Sequence, residues 1–205
     1  MTKIIRYGLS CNPGTLAHER IVRRLATLCD QLIVAVCGPR DDKSSSRTLY
    51  PSERAALAVL AFPNLPNNVV LDLSDLTRMN QVKRKATFQQ MQFLQDTTVG
   101  AVELWLAVGA DLVRGGFSGS KICLDWIQGP LLWVTFPFYV ILRVGYEIDE
   151  EDYPPESQVL GVDGKDESST AAREAAASGD RAALIEHVNP QSADYILSRG
   201  LYRVS

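Results

Sequence analysis

The chain has 205 residues, of which 46% are apolar and 22% charged, with a formal net charge of −3. These proportions belong to a folded domain with its own core, and they exclude wholesale disorder and bulk binding to nucleic acid. The cysteines Cys11, Cys29, Cys37 and Cys123 lie far apart without C-x-x-C spacing, and His18 and His187 are the only histidines. No zinc site, disulfide framework or three-histidine metal centre is therefore expected.

The opening residues MTKIIRYGL lack the apolar core of a signal peptide. The uncharged stretch from Ile127 to Leu142 is too short, and too broken by Gly129, Pro130 and Pro137, for a transmembrane helix. A soluble cytoplasmic protein is expected, with neither membrane nor nucleic acid as a partner. A small anionic substrate is compatible with the charge, because helix starts bind phosphate locally even in an acidic protein. Oligomeric state is not legible, and a homo-oligomer stays open.

Ile4 to Tyr7 reads as a strand, followed by a turn-rich stretch from Gly8 to Thr15. A helix follows, with Ile21, Val22, Leu25 and Leu28 on one face and Glu19, Arg20, Arg23 and Arg24 on the other. Leu32 to Val36 is a buried strand ended by Gly38-Pro39, which completes the start of a βαβ unit. Arg40 to Tyr50 is a polar, Ser-rich loop. Pro51 opens a second helix that Pro63 stops, and Val69 to Leu73 is a third strand. Residues 75–98 read as a polar helix whose basic cluster, Arg78, Lys83, Arg84 and Lys85, suits a solvated face, with a phosphate-binding surface as the alternative.

Leu104 to Val108 is a fourth strand running into Gly109-Ala110-Asp111, followed by a short helix through Trp126 and a fifth strand around Tyr139 to Leu142. The acidic run Glu147 to Asp152 and the stretch Gly161 to Glu167 are loops. The tail is helical over Ser168 to Ser178, Asp180 to Glu186 and Gln191 to Arg199. Alternating strands and helices predict an α/β, Rossmann-like parallel sheet with helices on both faces. We read one domain over 1–205, with a core over 1–160 and a helical C-terminal part over 161–205. Ligands of such folds bind beyond the carboxyl ends of the strands.

Two stretches fall at such ends. In Gly8-Leu9-Ser10-Cys11-Asn12-Pro13-Gly14-Thr15-Leu16-Ala17-His18, Pro13-Gly14 makes a turn and Thr15 can cap the next helix. His18 then sits in the first turn, where free backbone N–H groups favour an anion; a plain surface histidine fits the spacing equally well. In Ser168-Ser169-Thr170-Ala171-Ala172-Arg173, hydroxyls open an Ala-rich helix, with Arg173 on the face of Ser169 and Thr170. That suits a polyphosphate. An ordinary N-cap beside a solvated arginine is the alternative.

The first stretch resembles the G-x-(T/S)-F-(D/N)-P-x-(H/T)-x-G-H signature of Rossmann-like nucleotidyltransferases, and the second resembles their I-S-S-T-x-x-R. Among them the nicotinate/nicotinamide mononucleotide adenylyltransferases are most similar. Lys43 and Ser52-Glu53-Arg54 resemble that family's Lys and E-x-R. Gly109-Ala110-Asp111 resembles its G-A-D, Trp126 its Trp, Arg143-Val144-Gly145-Tyr146 its R-P-G-Y, and Val188 to Tyr202 its C-terminal segment.

The sequence also departs from the pattern. Thr15 replaces the first His, as in phosphopantetheine adenylyltransferases, Ala17 replaces Gly, and Cys11 replaces Phe. Ala86 to Met91, around Thr87, replaces Y-T-x-D-T-L. Glu167 replaces Ile, which brings an acid near a phosphate site, harmless if its side chain turns outward.

The resemblance implies adenylyl transfer from ATP, with Mg²⁺, to nicotinamide or nicotinate mononucleotide. It assigns His18, Arg173 and Lys43 to catalysis. ATP falls to Gly8, Ser10, Thr15, His18, Gly109, Asp111, Ser168, Ser169, Thr170 and Arg173, and the mononucleotide to Cys11, Asn12, Thr87, Trp126 and Arg143. Trp105 and Trp133 read as core, and His187 as structural or solvated. Two other readings stand beside this one: the same chemistry on another phosphorylated acceptor such as a pantetheine phosphate, and a catalytically weak nucleotide-binding protein of the same fold.

Overall fold

A computed structural model describes residues 1–38, 49–77, 86–143, 146–165 and 167–203. The chain runs β1 (Thr2–Leu9), α1 (Leu16–Ala26), β2 (Gln31–Val36), α2 (Pro51–Ala61), β3 (Val69–Asp72), α3 (Ser74–Thr77), α4 (Thr87–Thr97) and β4 (Val102–Gly109). Four short helices follow, α5 (Ala110–Val113), α6 (Gly116–Gly119), α7 (Lys121–Asp125) and α8 (Gly129–Thr135), then β5 (Phe138–Leu142). After a 3-10 turn at Glu150–Asp152 come β6 (Ser157–Gly161), α9 (Ser169–Ser178), α10 (Arg181–Ile185) and α11 (Pro190–Ser198).

The strands form one six-stranded sheet in the order β3-β2-β1-β4-β5-β6, each neighbouring pair parallel. The order reverses between β1 and β4. Connections leaving these two strands diverge to opposite faces, which opens a crevice beyond their carboxyl ends.

Period-two alternation sorts the strand side chains onto two faces. Ile5, Tyr7, Leu32, Val34, Trp105 and Tyr139 pack under Ile21, Val22 and Leu25 of α1 and Ala58 and Ala61 of α2. Ile4, Leu104, Leu106, Val108, Phe138 and Val140 face the other way, against Phe88 and Met91 of α4, Ile122 of α7 and Leu132 and Trp133 of α8. A third cluster joins Ala172 and Ala176 of α9, Leu184 of α10 and Ile196 of α11 to Leu57 of α2. Alanines on α9 let these helices approach closely and seat the C-terminal motif beside the sheet.

Three findings depart from the sequence-based expectation. β6 extends the sheet by a strand over residues to which the sequence assigns no element; it has one neighbour, and Gln158 and Val159 are exposed, so it carries little apolar signal. α8 forms across Gly129-Pro130, which reads as a break, because proline in the first turn gives up an N–H that has no intrahelical partner anyway. The polar helix expected over 75–98 is found as α3 and α4, and the cluster Arg78, Lys83, Arg84 and Lys85 lies outside the described residues. Among the described residues, no helix is long and apolar enough to cross a membrane.

Candidate functional site

The loop after β1 is held from below. Arg54 of α2, itself buried, donates from one Nη2 to the Ser10 carbonyl and to the Cys37 carbonyl at 2.6 Å. This ties the ends of β1 and β2 together. Gly14 makes a close approach possible: a Cβ there would stand 2.5 Å from that of Ala61 and 2.7 Å from the Cys11 sulfur. The Cys11 side chain is fully buried, and burial pushes its thiol up to about 12, so this residue offers a ligand its backbone rather than its sulfur.

Thr15 caps α1. Its backbone N–H donates to His18 Nδ1 at 3.1 Å, its hydroxyl lies 2.7 Å from the same nitrogen, and the His18 N–H donates back to the hydroxyl at 3.4 Å. Nδ1 is thus an acceptor, which assigns the ring proton to Nε2. His18 is partly buried at the start of α1. Burial, and secondarily the Arg143 charge, push it down to about 4. At neutral pH the group is a neutral imidazole with a fixed Nε2–H donor.

The C-terminal motif is fastened to this loop. Ser168 caps α9 by accepting from the Ala171 N–H at 3.1 Å. Ser169 Oγ donates to the Pro13 carbonyl at 2.9 Å, and Arg173 Nη1 donates to the Asn12 carbonyl at 2.8 Å. Arg173 Nη2 donates to Thr170 Oγ1 at 3.0 Å, the same-face contact expected from the spacing. The Nε of Arg173 is buried and has no acceptor among the described residues. From the end of the chain, Tyr202 donates its phenolic proton to Asn12 Oδ1 at 2.8 Å; burial raises the phenol and keeps it protonated.

The remaining expected residues take distinct places. Pairing of Tyr7 with Ala107 sets Gly8 and Gly109 at the same edge of the sheet. Asp111 begins α5 and folds back over Gly109, where a Cβ would come within 2.6 Å of its Oδ1; Lys121 Nζ lies 3.7 Å from its other oxygen. Arg143, at the end of β5, lines a crevice with Ala17, Arg20, Ile21, Val162 and Gly164. Thr87 opens α4, and Trp126, half-buried, packs against the cluster on the face opposite α1. Trp105 and Trp133 are core, the ring of the former 4.7 Å from that of Tyr139 and tilted to it by 37°. His187 serves through its backbone, accepting from the Leu16 N–H at 2.9 Å. Lys43 lies outside the described residues.

The structure therefore gathers Asn12, Thr15, His18, Arg143, Ser169, Thr170 and Arg173 at the switch point of the sheet. Thr87 and Trp126 belong to the opposite face. Two residues that hold the group together, Tyr202 and Arg54 through its carbonyl contacts, carried no such role in the sequence reading.

Comparison with solved structures bears on this arrangement. The chain is similar to Plasmodium falciparum nicotinic acid mononucleotide adenylyltransferase complexed with NaAD, at 22% identity and a TM-score of 0.77, with 98% of each chain covered. The same enzyme complexed with APC matches at 20% identity and a TM-score of 0.73, again over 98% of each chain. The fold is that of these adenylyltransferases. Coverage of this extent means that the likeness of fold extends over the C-terminal helices and is not confined to the sheet. No protein-family model matches the sequence, and no curated protein matches it.

Proposed function

We propose that the chain transfers the adenylyl group of ATP to a pyridine mononucleotide, with nicotinate mononucleotide the preferred acceptor, forming the dinucleotide and pyrophosphate. The observation that carries this reading is the meeting of two distant helix starts. Arg173 and Ser169 bond to the backbone of Asn12 and Pro13, beside the fixed donor of His18, at the switch point of an adenylyltransferase fold.

A phosphate oxygen of the mononucleotide attacks the α-phosphorus of ATP. The new P–O bond forms as the bond to the α/β bridging oxygen breaks, and pyrophosphate leaves with the electron pair. The attacking phosphate is already anionic, so no side chain has to take a proton and no covalent intermediate is needed. The chain supplies position and charge stabilisation.

In this reading His18 Nε2–H donates to the α/β phosphate oxygens, and the neutral ring costs no desolvated charge. Arg173, Ser169 and Thr170 hold the β/γ end, with Lys43 assigned there by motif alone. Gly8 and Gly109 keep the crevice floor free of side chains, and Asp111 contacts the adenosine. Thr87, Trp126 and Arg143 take the mononucleotide, with ring stacking on Trp126 contributing about 1 kcal/mol beyond area burial.

Mg²⁺ would come with ATP as part of the substrate, held by phosphate oxygens and water, and would supply charge neutralisation for the leaving pyrophosphate.

The test is a parallel assay with Mg·ATP and nicotinate mononucleotide, nicotinamide mononucleotide or phosphopantetheine. Dinucleotide and equimolar pyrophosphate with nicotinate mononucleotide are expected. Turnover of phosphopantetheine alone would keep the chemistry and replace the acceptor. Turnover of none of the three would remove the reading.

A further inference from the structure

Arg20 and Glu167 have no part in the chemistry above, yet they join the two elements that carry it. Arg20 stands on α1, two residues beyond His18; Glu167 immediately precedes Ser168, the N-cap of α9. Arg20 Nη1 donates to Glu167 Oε1 at 3.0 Å, and Nη2 donates to Glu167 Oε2 and to the Lys165 carbonyl at 3.3 Å. Glu167 is only 6% exposed. The loop is moulded to the guanidinium: Gly164 has φ +137°, and a Cβ there would come within 2.4 Å of Arg20 Nη2. A two-point fork of this kind fixes orientation as well as distance.

The carboxylate also occupies a sensitive place. It lies at the positive end of α9, where the reading above puts the β/γ phosphates. A buried carboxylate without a partner there would repel a triphosphate and compete with it for the same helix end. Paired, it becomes a neutral anchor, and Arg20, aided by the hydrogen bonds to Glu167, holds it below the ordinary carboxylate range despite burial.

We propose that Arg20 and Glu167 act as a positioning pair. The fork sets the start of α9 against α1, so that Ser169 and Arg173 meet the triphosphate at the correct distance from His18. It also prevents Glu167 from competing with the phosphates. The identity of the ligand rests on the adenylyl-transfer reading; the fork itself does not.

The pair makes an asymmetric prediction. R20Q strips the partner from a buried carboxylate and should weaken Mg·ATP about tenfold or more, whereas E167Q, which leaves no misplaced charge, should weaken it about threefold. The double variant should resemble E167Q, because removing the carboxylate rescues the loss of its partner. In all three the loss should fall more on Mg·ATP affinity than on kcat, and KM for the mononucleotide should not move. Amide hydrogen exchange at residues 168–173 should accelerate in the ligand-free variants.

These outcomes are read by calorimetry with Mg·ATP, steady-state kinetics and exchange. R20Q with unchanged exchange and wild-type ATP affinity would overturn the proposal, as would a double variant weaker than either single one. Should R20Q not fold, R20K keeps the charge and loses the fork; faster exchange at 168–173 supports the pair, and unchanged exchange overturns it. If the wild-type chain binds no Mg·ATP, the functional reading fails, and the exchange data alone decide the pair.

Discussion

The two helix starts at the candidate site are built in opposite ways. At α1 the arrangement is local: Thr15 caps the helix and holds the His18 ring through its own N–H and hydroxyl. At α9 the cap is local but the placement is remote, through Arg173 to Asn12, Ser169 to Pro13 and Glu167 to Arg20. Tyr202, near the end of the chain, steadies Asn12 in turn. The donor can therefore be oriented as soon as α1 forms, whereas the phosphate-holding side chains are in place only after the C-terminal helices dock. Damage to the first region should appear in the chemical step, and damage to the second in ATP binding.

The largest expected effect is at His18. H18A should lower kcat by about 10² to 10³, the usual loss for one preorganised donor, while ATP affinity changes little; turnover near wild type would remove His18 from the mechanism. R173A should raise KM for ATP by about 10- to 100-fold with a smaller change in kcat, since a charge-assisted contact to phosphate is lost. An unchanged KM for ATP would mean that the α9 start does not hold the triphosphate.

T15A falls between the regions' extremes. It should cost about 1 kcal/mol of stability through the lost cap. It should also lower kcat, because the hydroxyl contact to Nδ1 disappears while the backbone N–H remains. Chemical denaturation and steady-state rates measure the two effects separately; loss of stability with kcat intact would confine Thr15 to capping.

The pH dependence of folding gives a subtler test of the local region. His18 in the folded chain takes a proton only near pH 4, whereas an unfolded histidine does so near pH ~6.5. The unfolded state therefore binds more protons between these values, and stability should fall as pH drops from ~6.5 towards 4. In H18Q that contribution should vanish, which denaturant midpoints across the range can show; an identical pH slope in H18Q would contradict a partly buried, neutral ring. The smallest effect is expected from Y202F, about 0.5–1.5 kcal/mol of stability for one hydrogen bond, with a modest rise in KM for ATP. A rise in kcat loss instead would blur the division between the two regions.

The same division separates what could be read from the sequence. Continuous apolar runs around Ile5, Val34 and Leu106 located the central strands, because both faces of a parallel sheet are buried. The cap at Thr15 and the Thr170–Arg173 pairing were legible because helix geometry fixes neighbours three residues apart. Contacts made by the assembled fold were not. Nothing local signals that Tyr202 reaches Asn12, or that Arg54 holds the Ser10 and Cys37 carbonyls.

Side-chain direction was not legible at two further positions. Cys11, assigned to the mononucleotide by its place in the motif, turns its sulfur into the core. Glu167, an acid near the phosphate site whose direction the sequence leaves open, turns inward against Arg20. In both cases side-chain direction follows from packing across elements far apart in sequence, which a motif cannot encode.

The central claim is that the α1 and α9 starts bind one triphosphate together. Titration of the ¹⁵N-labelled chain with Mg·ATP, following backbone amides, tests it directly. The account predicts that the amides of residues 14–18 and 168–171 shift along a common isotherm, with a single dissociation constant. Shifts confined to one helix start, or two sets with different constants, would contradict it.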